Sequence, residues 1–226
     1  MGETSGTVQS VNTGRAGDAS WAGGKRRTAI DKRPAEGPVR VAALGLAGDE
    51  QADRANHGGP DQAVYAFARE DLDSWSQRLG RPLRDGAFGE NLTTAGTDVN
   101  GALIGEMWRI GSALFEAVLP RTPCAVFQAW LAEQGWVARF TQEARTGVYL
   151  RVLEEGEVRA GDPVEIVHRP GHGITVMAGF RAGLDRDIGL LHRILAVPGR
   201  SEKWAELAAK VERNLERERE PAARRP

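Results

Sequence analysis

The segment LPRTPCAVF, residues 119–127, carries the only cysteine of the chain. Cys124 follows Pro123, with Arg121 and Pro120 just upstream. Proline fixes φ and removes a backbone donor, so this segment does not continue as an internal strand and must leave its sheet at a rim. A helical pattern begins directly after Cys124, which sets the sulfur near a helix N-terminus. There the helix dipole and Arg121 favour thiolate over thiol. A thiolate serves as nucleophile, sulfur carrier or soft-metal ligand. The alternative is a buried small hydrophobe, the commoner use of a lone cysteine. A structural zinc site is not expected, because there is no second cysteine and no close histidine pair.

Three other stretches are rich in polar chemistry. Residues 48–65, GDEQADRANHGGPDQAVY, bring Asp49, Gln51, Asp53, Asn56, His57, Gly58, Gly59 and Asp61 into a short span. A surface loop of turn formers accounts for the glycines and aspartates. It does not account for so many donors and acceptors beside a histidine. The Gly58-Gly59 pair lets backbone N–H groups approach a ligand. In GAFGENLTTAG, residues 86–96, glycines frame Phe88 before Glu90 and Asn91. Asn91 suits either a heterocycle edge or a backbone turn. In GKRRTAI, residues 24–30, the cations Lys25, Arg26 and Arg27 follow a glycine pair. That is either a solvated charge run or an anion site, and no Walker signature is present.

The elements that must position these groups read as β-rich up to about residue 168. Short apolar runs (GTVQSV, VRVAALGL, QAVYAFA, EMWRIGSALFEAV, TGVYLRVL, DPVEIV) are punctuated by glycine and proline, as in a barrel or sandwich. Gly111 falls where a hairpin turn or bulge belongs. One helix is predicted at REDLDSWSQRLG, stopped by Gly80 and Pro82, and one long helix after the cysteine. VHRPGHG reads as a linker. Three helical patterns come after it. The last has Ser201 as N-cap and Trp204, Leu207, Ala208, Val211 and Leu215 on one face. We therefore expect a barrel over residues 1–168 and a small helical extension over 169–226.

The composition fits an ordinary globular chain. Net charge is −1, which argues against nucleic acid or an anionic membrane as partner. No apolar run is long enough to span a bilayer, and no secretory leader is apparent at the N-terminus. A single cysteine fits a reducing, cytoplasmic setting.

Taken in order, GGKRRTAI, GDEQAD, NHGGPDQAVY, FGENLTT, IGEMWRIGSALFEAVLPRTPC and GVYLRVLEEGEVRAGDPVEIV resemble the MOSC domain family, which is related to the C-terminal part of molybdenum cofactor sulfurase. The resemblance spans roughly residues 5–168, and the C-terminal patterns are similar to the three-helix extension of the YiiM-like branch. Gly147-Val148-Tyr149 departs from a frequent Gly-Trp-Tyr, and Gly105-Glu106 from a Gly-Asp.

The resemblance implies a mainly β fold, a MOSC-type barrel with interspersed helices, with a pocket at its mouth for the molybdenum cofactor, a pterin dithiolene (molybdopterin). It implies Cys124 as the molybdenum ligand. Arg121, His57, Asn56, Gly58, Gly59, Asn91 and Asp49 would line or support the pocket, and Lys25, Arg26 or Arg27 would hold the phosphate. Family members are also associated with pyridoxal phosphate binding. The implied activity is reduction of a small N-hydroxylated compound, such as an N-hydroxylaminopurine. His57 is the candidate proton donor, since its ordinary pKa lies near working pH. A separate electron-donor protein is expected, because the chain has too few cysteines for an iron–sulfur cluster and no flavin fingerprint. The rival readings are a sulfur carrier using a Cys124 persulfide and a cofactor-delivery protein.

Overall fold

The computed structural model describes residues 3–23, 27–52 and 58–219. In chain order the strands are β1 (Glu3–Thr13), β2 (Gly17–Asp18), β3 (Arg27–Thr28), β4 (Arg33–Pro34), β5 (Val39–Ala42), β6 (Gly45–Leu46), β7 (Val64–Ala68), β8 (Leu92–Ala95), β9 (Met107–Ile110), β10 (Ala113–Pro120), β11 (Val148–Glu154), β12 (Gly156–Val158) and β13 (Pro163–His168). The α-helices are α1 (Arg69–Leu79), α2 (Ala125–Leu131), α3 (Trp136–Glu143), α4 (Val176–Asp185), α5 (Ile188–Leu195) and α6 (Lys203–Arg219).

Strands β13, β9, β10, β11, β7, β8 and β1 lie side by side in that order in one sheet, and β1 pairs back onto β13 to close it into a barrel. The β7–β8 pair is parallel and the other barrel pairings are antiparallel. Gly111, at φ 56°, turns β9 into β10, as its place between two alternating halves predicts.

Alternation along β7 divides the apolar residues between two cores. Val64, Ala66 and Ala68 face the barrel interior with Leu92, Val148 and Leu150. Tyr65 and Phe67 face the other way, into a cluster with Phe88, Phe127, Trp136 and Phe140. A strand turns successive side chains to opposite faces, so this second cluster lies outside the barrel wall. Most of its rings pack tilted or edge-on, for example Phe88 on Phe127 at 5.1 Å and Trp75 on Trp136 at 4.6 Å, while Phe140 stacks on Phe67 and Trp75. Helices α1, α2 and α3 supply most of its partners. Helices α4 to α6 instead share the barrel's own core through Val176, Ala182, Leu191, Ile194, Trp204 and Val211. Ser201 caps the last of them, its Oγ accepting from Lys203 N at 3.3 Å.

Two local expectations are revised, and one linker is seen to be held in place. The long helix after Cys124 is two helices. Ala132 adopts a left-handed conformation at φ 54°, and Gly135 at φ 70° starts the next helix. Gln128 Oε1 then accepts from Val137 N at 3.3 Å, which supplies an acceptor to the new N-terminus. The break lets Phe127, Leu131, Trp136 and Phe140 all reach the outer cluster. VRVAALGL forms β5 and β6, which join β12 in a small separate sheet and not in the barrel. VHRPGHG is pinned: His172 Nε2 lies 2.9 Å from the Ile104 carbonyl, and Ile174 N donates to His172 Nδ1 at 3.0 Å.

Gly147 precedes β11 at φ 68°, and a Cβ there would lie 2.5 Å from the Ala66 carbonyl and 2.9 Å from Tyr65 Cε2. Left-handed backbone and overpacking then add. Gly147→Ala should lower stability by about 2–4 kcal/mol, read as a fall in the urea midpoint at unchanged slope.

Candidate functional site

A cavity of about 570 Å³ lies against the outer face of the barrel wall. Tyr65 and Tyr149, direct cross-strand partners on β7 and β11, are part of its lining, and both project outward. The space lies between these two tyrosines, the 27–32 segment, the 49–52 segment and the residues just beyond β10.

Cys124 lines this cavity, half-buried, at the N-cap position of α2. One side of it packs on the aromatic cluster. Pro120 ends β10 opposite Val148, so the chain leaves the sheet where the prolines require. Arg121 is 7% exposed and also lines the cavity. Its guanidinium carbon stands 3.8 Å from the Phe127 ring centroid and 5.3 Å from that of Tyr65. Aromatic faces attract such a cation but accept no conventional hydrogen bond from it. Arg121 Nη1 is buried with no hydrogen-bond partner among the described residues. A buried charged donor left unmet is costly, and a ligand oxygen would relieve it. Burial raises the pKa of Tyr149, and Arg121 pulls it the other way.

Part of the lining is a network centred on Asp49. Its carboxylate accepts from Lys32 Nζ, from Gly14 N at 2.8 Å and from Asn91 Nδ2 at 2.9 Å. Asn91 Nδ2 also donates to the Asn12 carbonyl at 3.2 Å, and its Oδ1 accepts from Tyr65 N at 3.0 Å. Asn91 thus serves the backbone on both sides of the amide and orients Asp49. Glu90, fully buried, accepts from Gly86 N, Phe88 N and Thr93 Oγ1. Burial raises its pKa, and those donors oppose the rise. It holds the turn before β8.

Of the residues singled out in the sequence, Arg27, Asp49, Asn91, Arg121 and Cys124 line one cavity. Gly58 and Gly59 do not line it. Their N–H groups are spent on Gln62 Oε1 at 3.1 Å and Gln51 Oε1 at 3.0 Å, not offered to a ligand. Lys25, Arg26, Asp53, Asn56 and His57 lie outside the described residues. Lys32, Gln51, Gln62, Tyr65 and Tyr149 also line the cavity. Of these, Lys32, Gln62, Tyr65 and Tyr149 carried no signal of their own in the sequence. Lys32 sits between charged neighbours, where a solvated lysine is the ordinary reading, yet it is buried.

The MOSC domain family profile matches residues 53–165. The uncharacterized protein YflK of Bacillus subtilis (strain 168) is 37% identical over 200 residues, 88% of this chain and 90% of that one. Protein YiiM of Escherichia coli (strain K12) is 31% identical over 182 residues, 78% and 81% of the two chains. A reductase of Gibberella moniliformis is 32% identical over 82% of this chain, which spans only 33% of that protein. The crystal structure of YiiM from Geobacillus stearothermophilus superposes with a TM-score of 0.77 at 28% identity, covering 91% of this chain and 98% of that one.

Breaking the Asp49 network should be expensive. Asp49→Leu leaves the Lys32 ammonium buried and unpaired, and should cost about 3–5 kcal/mol in urea unfolding. Adding Lys32→Met should recover much of the loss. Burial lowers the Lys32 pKa below its ordinary 10.5, with Asp49 opposing. The folded chain then sheds that proton before the unfolded chain does, so rising pH favours folding through this group. Wild type should gain stability relative to Lys32→Met as the pH rises toward the ordinary lysine pKa of 10.5, measured as the difference in unfolding free energy.

Proposed function

The chain belongs to the MOSC domain family, and from that premise we propose that its cavity holds the molybdenum cofactor, with Cys124 as the protein ligand to molybdenum, and reduces N-hydroxylated compounds. The observation that carries the reading is the pairing of a cavity-facing thiol with the unmet Nη1 of Arg121 in one space. The described residues contain no group of three His, Cys, Asp or Glu side chains able to hold a metal ion by themselves. A single thiol therefore suits a soft metal that brings its other ligands with it. The cations Arg27, Lys32 and Arg121 outnumber the carboxylates Asp49 and Glu50 along the lining, which suits a ligand with anionic groups.

When bound, the cofactor supplies the two-electron chemistry that takes oxygen from an N–OH group. The chain supplies placement and charge. Cys124, at the N-cap position of α2 and three residues beyond Arg121, would offer its sulfur to a soft metal. Arg121, held by two aromatic faces, directs a donor at an oxygen in the cavity. Tyr65 and Tyr149 wall the space, and the Tyr65 hydroxyl is fixed by donating to the Thr146 carbonyl at 2.7 Å. His57 is the proposed proton donor, and electrons come from a separate protein. The relative described as a reductase supports the class of reaction.

The test is metal content on protein purified from a host that makes the cofactor, then reduction of a hydroxylaminopurine with an artificial donor. Wild type should hold about one molybdenum per chain, and Cys124→Ala should lose metal and activity together. Equal molybdenum in both would refute the ligand assignment. Cyanide-releasable sulfur without molybdenum would favour the sulfur-carrier reading.

A further inference from the structure

Two side chains at the start of α6 reach the cavity walls from behind. Trp204 is 2% exposed, and its Nε1 donates to the Val118 carbonyl at 3.0 Å. Val118 is the extra residue of a bulge: Ala117 faces Leu150 and Leu119 faces Tyr149, which leaves Val118 with no opposite number on β11. A bulge bends its strand and re-aims the residues beyond it, here Pro120, Arg121 and Cys124. The indole itself is locked in place. A Cβ at Gly179 of α4 would meet Trp204 Cη2 at 2.5 Å, so the ring lies close against that backbone.

The neighbouring residue holds the opposite wall. Lys203 Nζ donates to Gln62 Oε1 at 2.5 Å, and the same oxygen accepts from Gly58 N. Gln62 lines the cavity, while Lys203 and Trp204 do not. Arg151 adds a tie beside them. It donates to the Gly199 carbonyl at 3.1 Å while pairing with Asp61 and Glu116, the latter two residues before the bulge.

We propose that Trp204 and Lys203 are positioning residues, through which the C-terminal helices set the aim of Arg121 and Cys124 and the turn that carries Gln62. The C-terminal helices then shape the site without touching what it binds. The inference rests on these contacts and not on the identity of the ligand, so it is tested on cofactor-free protein, and its failure leaves the molybdenum reading untouched.

Cys124 is the sole thiol, so alkylation by iodoacetamide reports one site. Trp204→Phe keeps most of the ring and removes the donor to Val118. In a variant that still unfolds cooperatively, the alkylation rate of Cys124 should change by about threefold or more, with a displaced pH profile, because thiolate fraction and access govern that rate. A wild-type pH profile in folded Trp204→Phe overturns the proposal. Should that variant not fold, Lys203→Met decides. Faster deuterium uptake at the amides of Gly58, Gly59, Asp61 and Gln62, with barrel protection unchanged, supports the proposal, and wild-type uptake there overturns it.

Discussion

The Asp49 carboxylate is the constraint on which the site depends. Four chain segments far apart in sequence meet at it or at its direct partner: the end of β1 through Gly14, the strand-free stretch of Lys32, the turn before β8 through Asn91, and β7 through the Tyr65 amide. Each segment alone is an exposed loop or a strand end with little reason to hold one shape. A buried ion pair gains little net stability over apolar packing, because desolvating two charges nearly cancels their attraction. What it fixes is geometry, since each partner is satisfied only in one arrangement. That is the requirement of a ligand cavity, where the walls must stand before the ligand arrives.

The same carboxylate sets the charge of the space. It pairs with Lys32, while among the described residues no carboxylate lies within ion-pair distance of Arg121. Arg121 rests on Phe127 and Tyr65, which stabilise a cation without consuming all its donors. The outer aromatic cluster therefore has two functions. It covers the barrel wall, as any second core would, and it presents an arginine beside a thiol. The alternation of β7 makes this arrangement available: the residues that fill the barrel and the residues that build the site are neighbours in one strand.

Much of this was legible in the chain. Glycine and proline punctuation and two-residue alternation located the strands, and Gly80 and Gly111 marked a helix stop and a hairpin as their conformations require. The site was legible where unusual chemistry stood out locally, at Cys124, Arg121, Asp49 and Asn91. It was not legible at Lys32 or Tyr149, since their role arises from contacts across distant sequence and the residue types are ordinary where they stand. Gly58 and Gly59 misled for a related reason. Glycine amides can face a ligand, but two glutamines within eight residues took them instead. The split between α2 and α3 turns on alanine in a left-handed conformation, which propensity opposes and the pull of the aromatic cluster enforces.

The bulge at Val118 ties the barrel to its C-terminal helices. A regular β10 would carry its alternation unbroken to Pro120, and Arg121 and Cys124 would continue that register out of the sheet. One extra residue shifts the register, and the chain beyond it turns toward the outer cluster. A bulge also loosens the local ladder, and a carbonyl in a buried position must be met by some donor. The donor here comes from α6, more than eighty residues onward, and it is an indole, whose own buried N–H needs an acceptor. Each group supplies what the other lacks. The irregularity next to the site and the helix that meets its carbonyl are thus joined by one buried hydrogen bond.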